Sequence, residues 1–481
     1  MHGFEELKPD SNDTNSTVNG PWYKELNRYH WFVFVVAALG WLFDTMDQQL
    51  FTLGRPLAMV DLIKALPEET PAQLSLRQKE FGGYATSIFL IGWATGGLIF
   101  GVLGDRWGRV KTMLATIVVY SIFTGLSSFS RGFWDFSLWR FLTGLGVGGE
   151  FAVGVSLVAE VMPSRARPHA LGLLQALSAI GNITAAVIGM VGTDWRTMFL
   201  IGTAPALLSL VVRRRLKEPE RWQSVSTTDG VTKQLGSYGE LFGNPELRYR
   251  AFIGLLLASA GVIGLWGIGF FTADLQREVF GPVIEKEGFH GQPQEFLFKF
   301  FTGKDASTAA KADVLKFLSG LVLLLQNVGA FFGIYMFSHV SHYLGRRTTF
   351  AICFFGAMLT TANVFWNLGK FDGVNDIFWM VPLMGFFQLS VFGGYAIYFP
   401  ELFPTRLRST GISFCYNVGR FVAAIGPFTL GKLIRHVFSD YASQGAAVPF
   451  RLAGVTMCSI FLLGLIALPF APETKGKPLP E

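Results

Sequence analysis

The feature that most constrains this chain is its series of long apolar stretches, near 32–54, 81–103, 112–130, 134–160, 169–192, 196–213, 251–275, 315–340, 348–368, 377–400, 411–435 and 451–471. A helix needs about 20 residues to cross the hydrocarbon of a bilayer, and runs of this length match that requirement. Backbone polar groups find no water in lipid, so repeated crossings must satisfy themselves as helices. The expectation is an all-α membrane protein with twelve transmembrane helices. Composition agrees: 51% of residues are hydrophobic and 15% charged, where an ordinary soluble domain carries about 25% charged. Forty-seven Phe and 55 Gly suit helices that face lipid and pack through small residues. A purely water-soluble enzyme and a small secreted disulfide scaffold are excluded. Cys353, Cys415 and Cys458 all fall inside apolar stretches and read as packing residues. A net charge of +6 does not imply nucleic acid here, because in a membrane chain the distribution of charge matters more than its total.

Residues 1–30 are polar, with Asp10, Asn12, Asp13, Thr14, Asn15 and Ser16 close together, and lack the basic-then-apolar order of a cleavable signal, so the first apolar segment is expected to be a retained anchor. Lys and Arg concentrate on loops of one parity: Arg106, Arg109, Lys111, Arg165, Arg167, Arg346, Arg347, Arg406 and Arg408 against Arg131, Arg196 and Lys370. This bias predicts both termini on the cytoplasmic side of a plasma or inner membrane. The predicted organisation is a cytoplasmic tail (1–30), a six-helix bundle (31–216), a cytoplasmic linker (217–249), a second bundle (250–471) and a cytoplasmic tail (472–481). An external insertion, 277–314, interrupts the second bundle and contains Phe296-Leu297-Phe298-Lys299-Phe300-Phe301, too short to span and suited to a cap or an interfacial helix.

Long-range self-similarity supports two halves. Glu160-Val161-Met162-Pro163-Ser164-Arg165-Ala166-Arg167 recurs 241 residues later as Glu401-Leu402-Phe403-Pro404-Thr405-Arg406-Leu407-Arg408. Gly104-Asp105-Arg106-Trp107-Gly108-Arg109 is echoed 237 residues later by Ser341-His342-Tyr343-Leu344-Gly345-Arg346, and Pro219-Glu220 by Pro472-Glu473. Two pseudo-symmetric six-helix bundles around a midplane cavity are an alternating-access arrangement. Gly101-Val102-Leu103-Gly104-Asp105-Arg106-Trp107-Gly108-Arg109-Val110-Lys111 resembles the loop motif between spans 2 and 3 of major facilitator superfamily transporters, and the resemblance covers about 31–477. It implies that Asp105, Arg106, Arg109, Glu160, Arg165, Arg167, Arg346, Glu401, Arg406 and Arg408 act as gates that latch the cytoplasmic side. Within each half, Glu160 is expected to pair with Arg165 or Arg167, and Glu401 with Arg406 or Arg408, through charge-assisted hydrogen bonds. The same residues could instead serve topology alone. His342 departs from the motif, standing where the family usually has Asp.

Ionisable residues inside the bilayer cost roughly 3 kcal/mol each on insertion scales and are functional candidates. Asp44 and Asp47 lie in span 1, Arg140 and Glu150 in span 4, and Arg420 in span 11. Spacing i, i+3 sets Asp44 and Asp47 on one helical face, about 5–6 Å apart at Cβ, where they would hold a proton as a unit. The D-x-x-D pair resembles span 1 of proton-coupled aromatic-acid and metabolite symporters, with Thr45 for the usual Gly. Arg140 and Glu150 are about 15 Å apart along the helix, so each needs another partner; Asp44 or Asp47 suits Arg140. Asp44, Asp47, Glu150 and Arg140 are therefore the proton-coupling candidates. Arg420 resembles the span-11 arginine of organic-anion carriers and offers a bidentate match to carboxylate. Gln48, Trp266, Phe270, Gln326, Tyr395, Tyr398 and Asn417 are the remaining candidates for substrate contact.

The functional expectation is a proton-coupled importer of a small organic anion, acting as a monomer in lipid with a small-molecule substrate and protons as partners, and with no cofactor, metal or nucleic acid. The sugar-porter branch of the resembled family implies a Gln-Gln-rich motif in span 7 and a Trp in span 10, and the corresponding stretches here, Gly264–Phe271 and Gly393–Pro400, lack them. A sugar or polyol carrier, an exporter and a membrane nutrient sensor are the alternatives. Enzymatic function is not expected: His2, His30, His169, His290, His339, His342 and His436 form no H-E-x-x-H motif, and no glycine-rich phosphate loop with Lys occurs.

Overall fold

The computed structural model describes residues 21–191, 194–204, 216–227, 235–287, 294–307, 309–423, 425–445 and 447–480; a few side chains within these ranges, Phe270 among them, are not described. Spans 1 to 5 are α1 (Arg28–Leu62), α2 (Pro71–Arg106), α3 (Arg109–Ser127), α4 (Phe133–Val161) and α5 (Arg167–Met190), and span 6 opens as α6 (Trp195–Ile201). Residues 205–213 of that span lie outside the described residues, as do Asp10–Ser16 of the tail. Two short helices, α7 (Glu220–Ser226) and α8 (Tyr238–Gly243), occupy the connection between halves.

Span 7 is α9 (Pro245–Ile263), a π turn over Gly264–Ile268, a 3-10 turn over Gly269–Phe271, and α10 (Thr272–Glu287). Then come α11 (Gln294–Thr302), α12 (Lys311–Leu344), α13 (Arg346–Asn367) and α14 (Ile377–Leu402). Span 11 is α15 (Arg408–Ala423) followed by α16 (Gly426–Lys432), and span 12 is α17 (Val448–Met457) with α18 (Ile460–Ala467). Ten helices among the described residues are long and apolar enough to cross a membrane, and the described residues contain no strand. The aromatic run in the insertion forms α11, with Phe298 buried against Phe317 and Phe296 and Phe300 exposed.

The sequence repeat is also a packing repeat. In the first half, α2 and α4 approach until Gly92 and Gly96 lie against the carbonyls of Phe141 and Leu145, and Gly144 against that of Phe89. In the second, α12 and α14 do the same, with Gly329 and Gly333 on the carbonyls of Pro382 and Phe386, and Gly385 on that of Gln326. The glycines on α2 and α12 differ by 237 and those on α4 and α14 by 241, the offsets of the loop motifs. Between helices in lipid, close van der Waals packing of small residues is the main source of attraction. That packing explains why these positions repeat.

The halves meet along two seams related by the same offsets. Along α2 and α15, Gly97, Gly101 and Gly104 face Asn417, Ser413 and Ser409, and Ser413 Oγ donates to the Gly97 carbonyl at 2.6 Å. Along α5 and α12, Gly172 faces Ser338, the repeat positions of Ser413 and Gly101. Asn182 donates to Asn327 across the second seam at 2.9 Å.

Candidate functional site

A central cavity lies between the halves. The first half contributes Trp41, Thr45, Gln48 and Gln49 from α1, Trp93 from α2, and Gln175, Ser178 and Asn182 from α5. The second contributes Leu265 and Trp266 from the π turn, Gln326 and Asn327 from α12, Phe392 from α14, and Tyr416 and Arg420 from α15, with Leu323 and Leu389 completing the wall. Arg420 is the one charged side chain among these lining residues. Its guanidinium lies 4.0 Å from the Trp93 ring centroid and 4.1 Å from that of Tyr416. One amino group donates to the Tyr416 carbonyl at 2.8 Å and to Asn417 Oδ1 at 2.9 Å, while Nε has no partner. Stacking on two rings and anchoring one edge leaves a pre-set cation at the cavity wall, the arrangement guanidinium tolerates better than ammonium. Trp93 and Trp266 touch edge to face at 5.6 Å, joining opposite halves above it.

Four of the expected contacts sit elsewhere or are not described. Tyr395 and Tyr398 are buried in the second half, away from the cavity, because their hydroxyls donate to the carbonyls of Leu257 at 2.6 Å and Pro472 at 2.7 Å. Asn417 faces the α2–α15 seam, packing on Gly97 and donating to the Ser413 carbonyl at 3.1 Å; it positions Arg420 but does not line the cavity. The Phe270 side chain lies outside the described residues. Gln48, Trp266 and Gln326 do line the cavity, Gln326 donating to Gln388 at 3.0 Å.

The intramembrane carboxylates divide rather than pair. Asp44 is fully buried and accepts from Gln48 Nε2 at 3.0 Å, while its other oxygen has no hydrogen-bond partner. Asp47, one turn on, accepts from Thr124 at 2.8 Å and lies 3.8 Å from Arg140. Arg140 also donates to Ser127 at 2.9 Å and Thr143 at 3.0 Å and lies 4.6 Å from the Phe199 ring. The two aspartates, one turn apart on α1, take different hydrogen-bond partners: groups on α3 and α4 draw Asp47 toward Arg140, while Asp44 reaches Gln48 at the cavity. Glu150 accepts from Thr116 at 2.5 Å and its carboxylate rests on Gly40, one turn before Asp44. The charged groups acting on Asp44 are Glu150, Asp47 and Arg420. None of Arg140, Glu150 or Arg420 has a charged counterpart in the other half, where Val381, Val391 and Ala179 hold the repeat positions.

At the end carrying the loop motifs, the two halves are joined by buried charges. Asp105 accepts from the Ser409 and Thr410 backbone N–H groups at 3.2 and 2.8 Å and from the Thr410 hydroxyl at 2.6 Å. Arg109 donates to Asp105 at 2.6 Å, to Glu160 at 2.8 Å and to the Thr405 carbonyl at 2.8 Å. Arg408 reaches Glu160 at 2.8 Å. The expected local pairs do not form. Glu160 takes Arg109 and Arg408, while Arg165 pairs with Glu25 at 2.8 Å and Arg167 donates to the Met162 carbonyl at 3.3 Å. Glu401 takes Arg346 at 2.9 Å, leaving Arg406 to Glu240 at 2.6 Å. The geometric reason is that Arg109 and Arg346 each follow a glycine with positive φ, Gly108 at 112° and Gly345 at 86°, which starts the next helix with its arginine turned inward.

Several participants were not singled out by the sequence. Glu218 accepts from the Val110 N–H at 3.1 Å, and Glu473 from the Arg346 and Arg347 N–H groups at 3.0 and 3.1 Å. The repeated Pro-Glu therefore aligns imperfectly: Glu218, and not Glu220, is the counterpart of Glu473. Burial pushes the Glu218 carboxyl above the ordinary glutamate value despite its backbone donors. The described parts of the connection between halves, expected as a cytoplasmic linker, are hydrogen-bonded to this end. Gly236 N–H donates to the Arg406 carbonyl at 3.0 Å, Arg106 to the Leu235 carbonyl at 3.0 Å, and Trp222 to the Asp105 carbonyl at 2.7 Å. The charge complement Arg406–Glu240 and the indole of Trp222 were the available signals.

The fold, the repeat and the central cavity define a transporter of small molecules. The Major Facilitator Superfamily model matches residues 38–283, and the chain belongs to that family. Among curated relatives, the cis,cis-muconate transport protein of Acinetobacter baylyi is 28% identical over 404 residues, spanning 82% of this chain and 86% of that one. The niacin transporter NiaP of the same organism is 25% identical over 485 residues, spanning 94% and 96%. Among solved structures, the proton:xylose symporter XylE of E. coli, bound to 6-bromo-6-deoxy-D-glucose, superposes with a TM-score of 0.65 at 18% identity, covering 94% of this chain and 98% of that one. The protein is a multi-pass membrane transporter and not an enzyme.

Proposed function

We propose that this protein imports a small organic anion, a carboxylate metabolite or aromatic acid, together with protons. The observation that carries the reading is Arg420, the charged residue on the cavity wall, stacked between Trp93 and Tyr416 with its Nε unpartnered. A fixed cation among aromatic rings favours a planar anion, through charge-assisted hydrogen bonds to carboxylate and stacking of the remainder. Muconate and niacin, named for two relatives, are planar carboxylates, which supports the same chemistry.

Asp44 is the proposed proton carrier, linked to the cavity through Gln48. Glu150 and the Asp47–Arg140 pair form the charged surroundings that respond to its protonation. A substrate carboxylate at Arg420 and a proton on Asp44 would together leave the loaded site less charged, lowering the cost of closing the halves over it. The Asp105, Arg109, Glu160 and Arg408 network is the proposed latch, with the motif end cytoplasmic, both termini on that side and the monomer as the working unit in the inner or plasma membrane; the basic bias of the loops supports this orientation.

Counterflow and uptake in proteoliposomes, with and without a pH gradient, test the reading. Accumulation of benzoate, nicotinate or muconate that follows the gradient is expected, and uptake indifferent to it would remove proton coupling. A sugar substrate is the second reading, favoured by the amides Gln48, Gln49, Gln175, Asn182, Gln326 and Asn327 on the cavity wall and by the likeness to the XylE fold. Uptake of a hexose or pentose with no competition from carboxylates would establish it.

A further inference from the structure

The second half carries a buried amide pair where the first half is apolar. Gln326 on α12 donates from Nε2 to Gln388 Oε1 on α14 at 3.0 Å. Gln388 Nε2 in turn donates to the Gly264 carbonyl of the span 7 π turn at 3.2 Å, with Thr361 Oγ1 at 3.5 Å. Gln388 is fully buried and Gln326 is 4% exposed. The repeat offsets of 237 and 241 carry these two positions to Phe89 and Val147, buried apolar side chains in the core of the first half. The glycine-lined contact between the two helices therefore forms without amides, and burying a pair of them needs another reason.

Hydrogen-bond direction supplies that reason. A backbone carbonyl only accepts, so the part of Gln388 that faces Gly264 is its NH2 and the part that faces Gln326 is its oxygen. Gln326 must then present its own NH2 to Gln388. Its Oε1 is left over: it makes no hydrogen bond among the described residues, and Gln326 lines the cavity. A free glutamine amide can turn over and offer either a donor or an acceptor. This one is held with its oxygen as the available atom. Arg420, also contributed by the second half, offers only donors.

We infer that Gln388, which does not itself line the cavity, is a positioning residue that fixes the polarity of Gln326, so that the site selects carboxylates bearing a second group with an N–H or O–H donor. The inference rests on the carboxylate reading of Arg420 and adds the second group that the substrate must carry. A ligand that pairs with Arg420 but brings an apolar group or an acceptor to Gln326 leaves that oxygen unpaired or opposed. Sites built around such a hydrogen bond reject analogues that lack the matching group.

The test is calorimetric binding to the full-length protein in nanodiscs, with benzoate, meta- and para-aminobenzoate, and the isosteric meta- and para-toluate as ligands. One aminobenzoate isomer should bind about tenfold more tightly than its toluate in the native chain. Gln388→Met should bring that ratio to about one by weakening aminobenzoate, with a much smaller change for benzoate. Gln326→Met should abolish the preference in the same way, and carries the test alone if Gln388→Met does not fold. Native protein that binds toluate as well as aminobenzoate in both isomers would overturn the inference. So would a preference that persists in either variant, or a loss in Gln388→Met as large for benzoate as for aminobenzoate, which would mark a general distortion of span 7. Failure of the underlying reading looks different: benzoate would not bind the native chain, or would bind Arg420→Ala equally well, and the inference would fall with it.

Discussion

The Oε1 atom of Glu160 accepts Arg109 of its own half and Arg408 of the other, both at 2.8 Å. The pair within one half has a counterpart, Arg346–Glu401, at the repeat positions. The link across the halves makes Glu160 the shared member of two arginine contacts. A carboxylate in that position neutralises two buried guanidinium groups only while the halves are together.

Glu160→Gln should therefore leave buried Arg408 without its carboxylate and Arg109 with Asp105 alone, a defect that costs about 3–5 kcal/mol where a buried pair is broken. A fall in the thermal unfolding temperature and an increase in alkylation of a Ser413→Cys reporter in the α2–α15 seam are expected. Glu401→Gln, whose arginine lies in its own half, should leave Ser413→Cys alkylation near the native level. Equal alkylation in both variants would deny the latch role of Glu160.

Arg420→Lys keeps the charge but gives up the planar contact with Trp93 and Tyr416. A cation–π contact is worth about 0.5–2 kcal/mol, so affinity for a carboxylate substrate should fall by about tenfold. Arg420→Ala should abolish binding by calorimetry. Retained carboxylate affinity in Arg420→Ala would remove the residue from the site.

Asp44→Asn preserves the hydrogen-bonding shape beside Gln48 and removes the titrating group. Substrate exchange at equal pH should persist while gradient-driven accumulation is lost. Asp47→Asn should behave differently, lowering stability, because it leaves Arg140 buried without its nearest carboxylate at 3.8 Å. Loss of both activities in Asp44→Asn, with normal folding, would make Asp44 a binding group and not a proton carrier.

Glu473 gives a pH prediction at the start of α13. Burial pushes its carboxyl up, but the backbone N–H groups of Arg346, Arg347, Lys475 and Thr474 outweigh this and hold it below the ordinary value of 4.5. A depressed carboxyl stabilises the fold fully above that value, and the contribution is lost as pH falls through the lowered one. Glu473→Gln should reduce stability at neutral pH and make the decline below about pH 4.5 shallower. An acid limb identical to the native one would show that the glutamate does not contribute to it.

The apolar runs, the repeat and the loop glycines were legible because each is local. A run of hydrophobic residues reports its own burial in lipid, and Gly108 and Gly345 report turns that need positive φ. The cavity candidates were less so. Helical spacing places Tyr395 and Tyr398 on faces that could have met a ligand, but their hydroxyls reach the backbone carbonyls of Leu257 and Pro472, groups 138 and 74 residues away. Arg420 stood out because an isolated cation in an apolar run is costly, while its stacking on Trp93 could not be read from either helix.

What the sequence determined by itself was the set of spans, the two-fold repetition and the few charges placed in hydrocarbon, since each follows from the local cost of exposing or burying a residue. The tertiary structure decided the partners. Glu160 was expected to pair with Arg165 or Arg167 and took Arg109 and Arg408; Asp47 took Arg140 and left Asp44 to Gln48. Charge is satisfied by proximity in space, and which helices bring which groups together is settled only when glycine-lined faces lock the bundles at van der Waals distance.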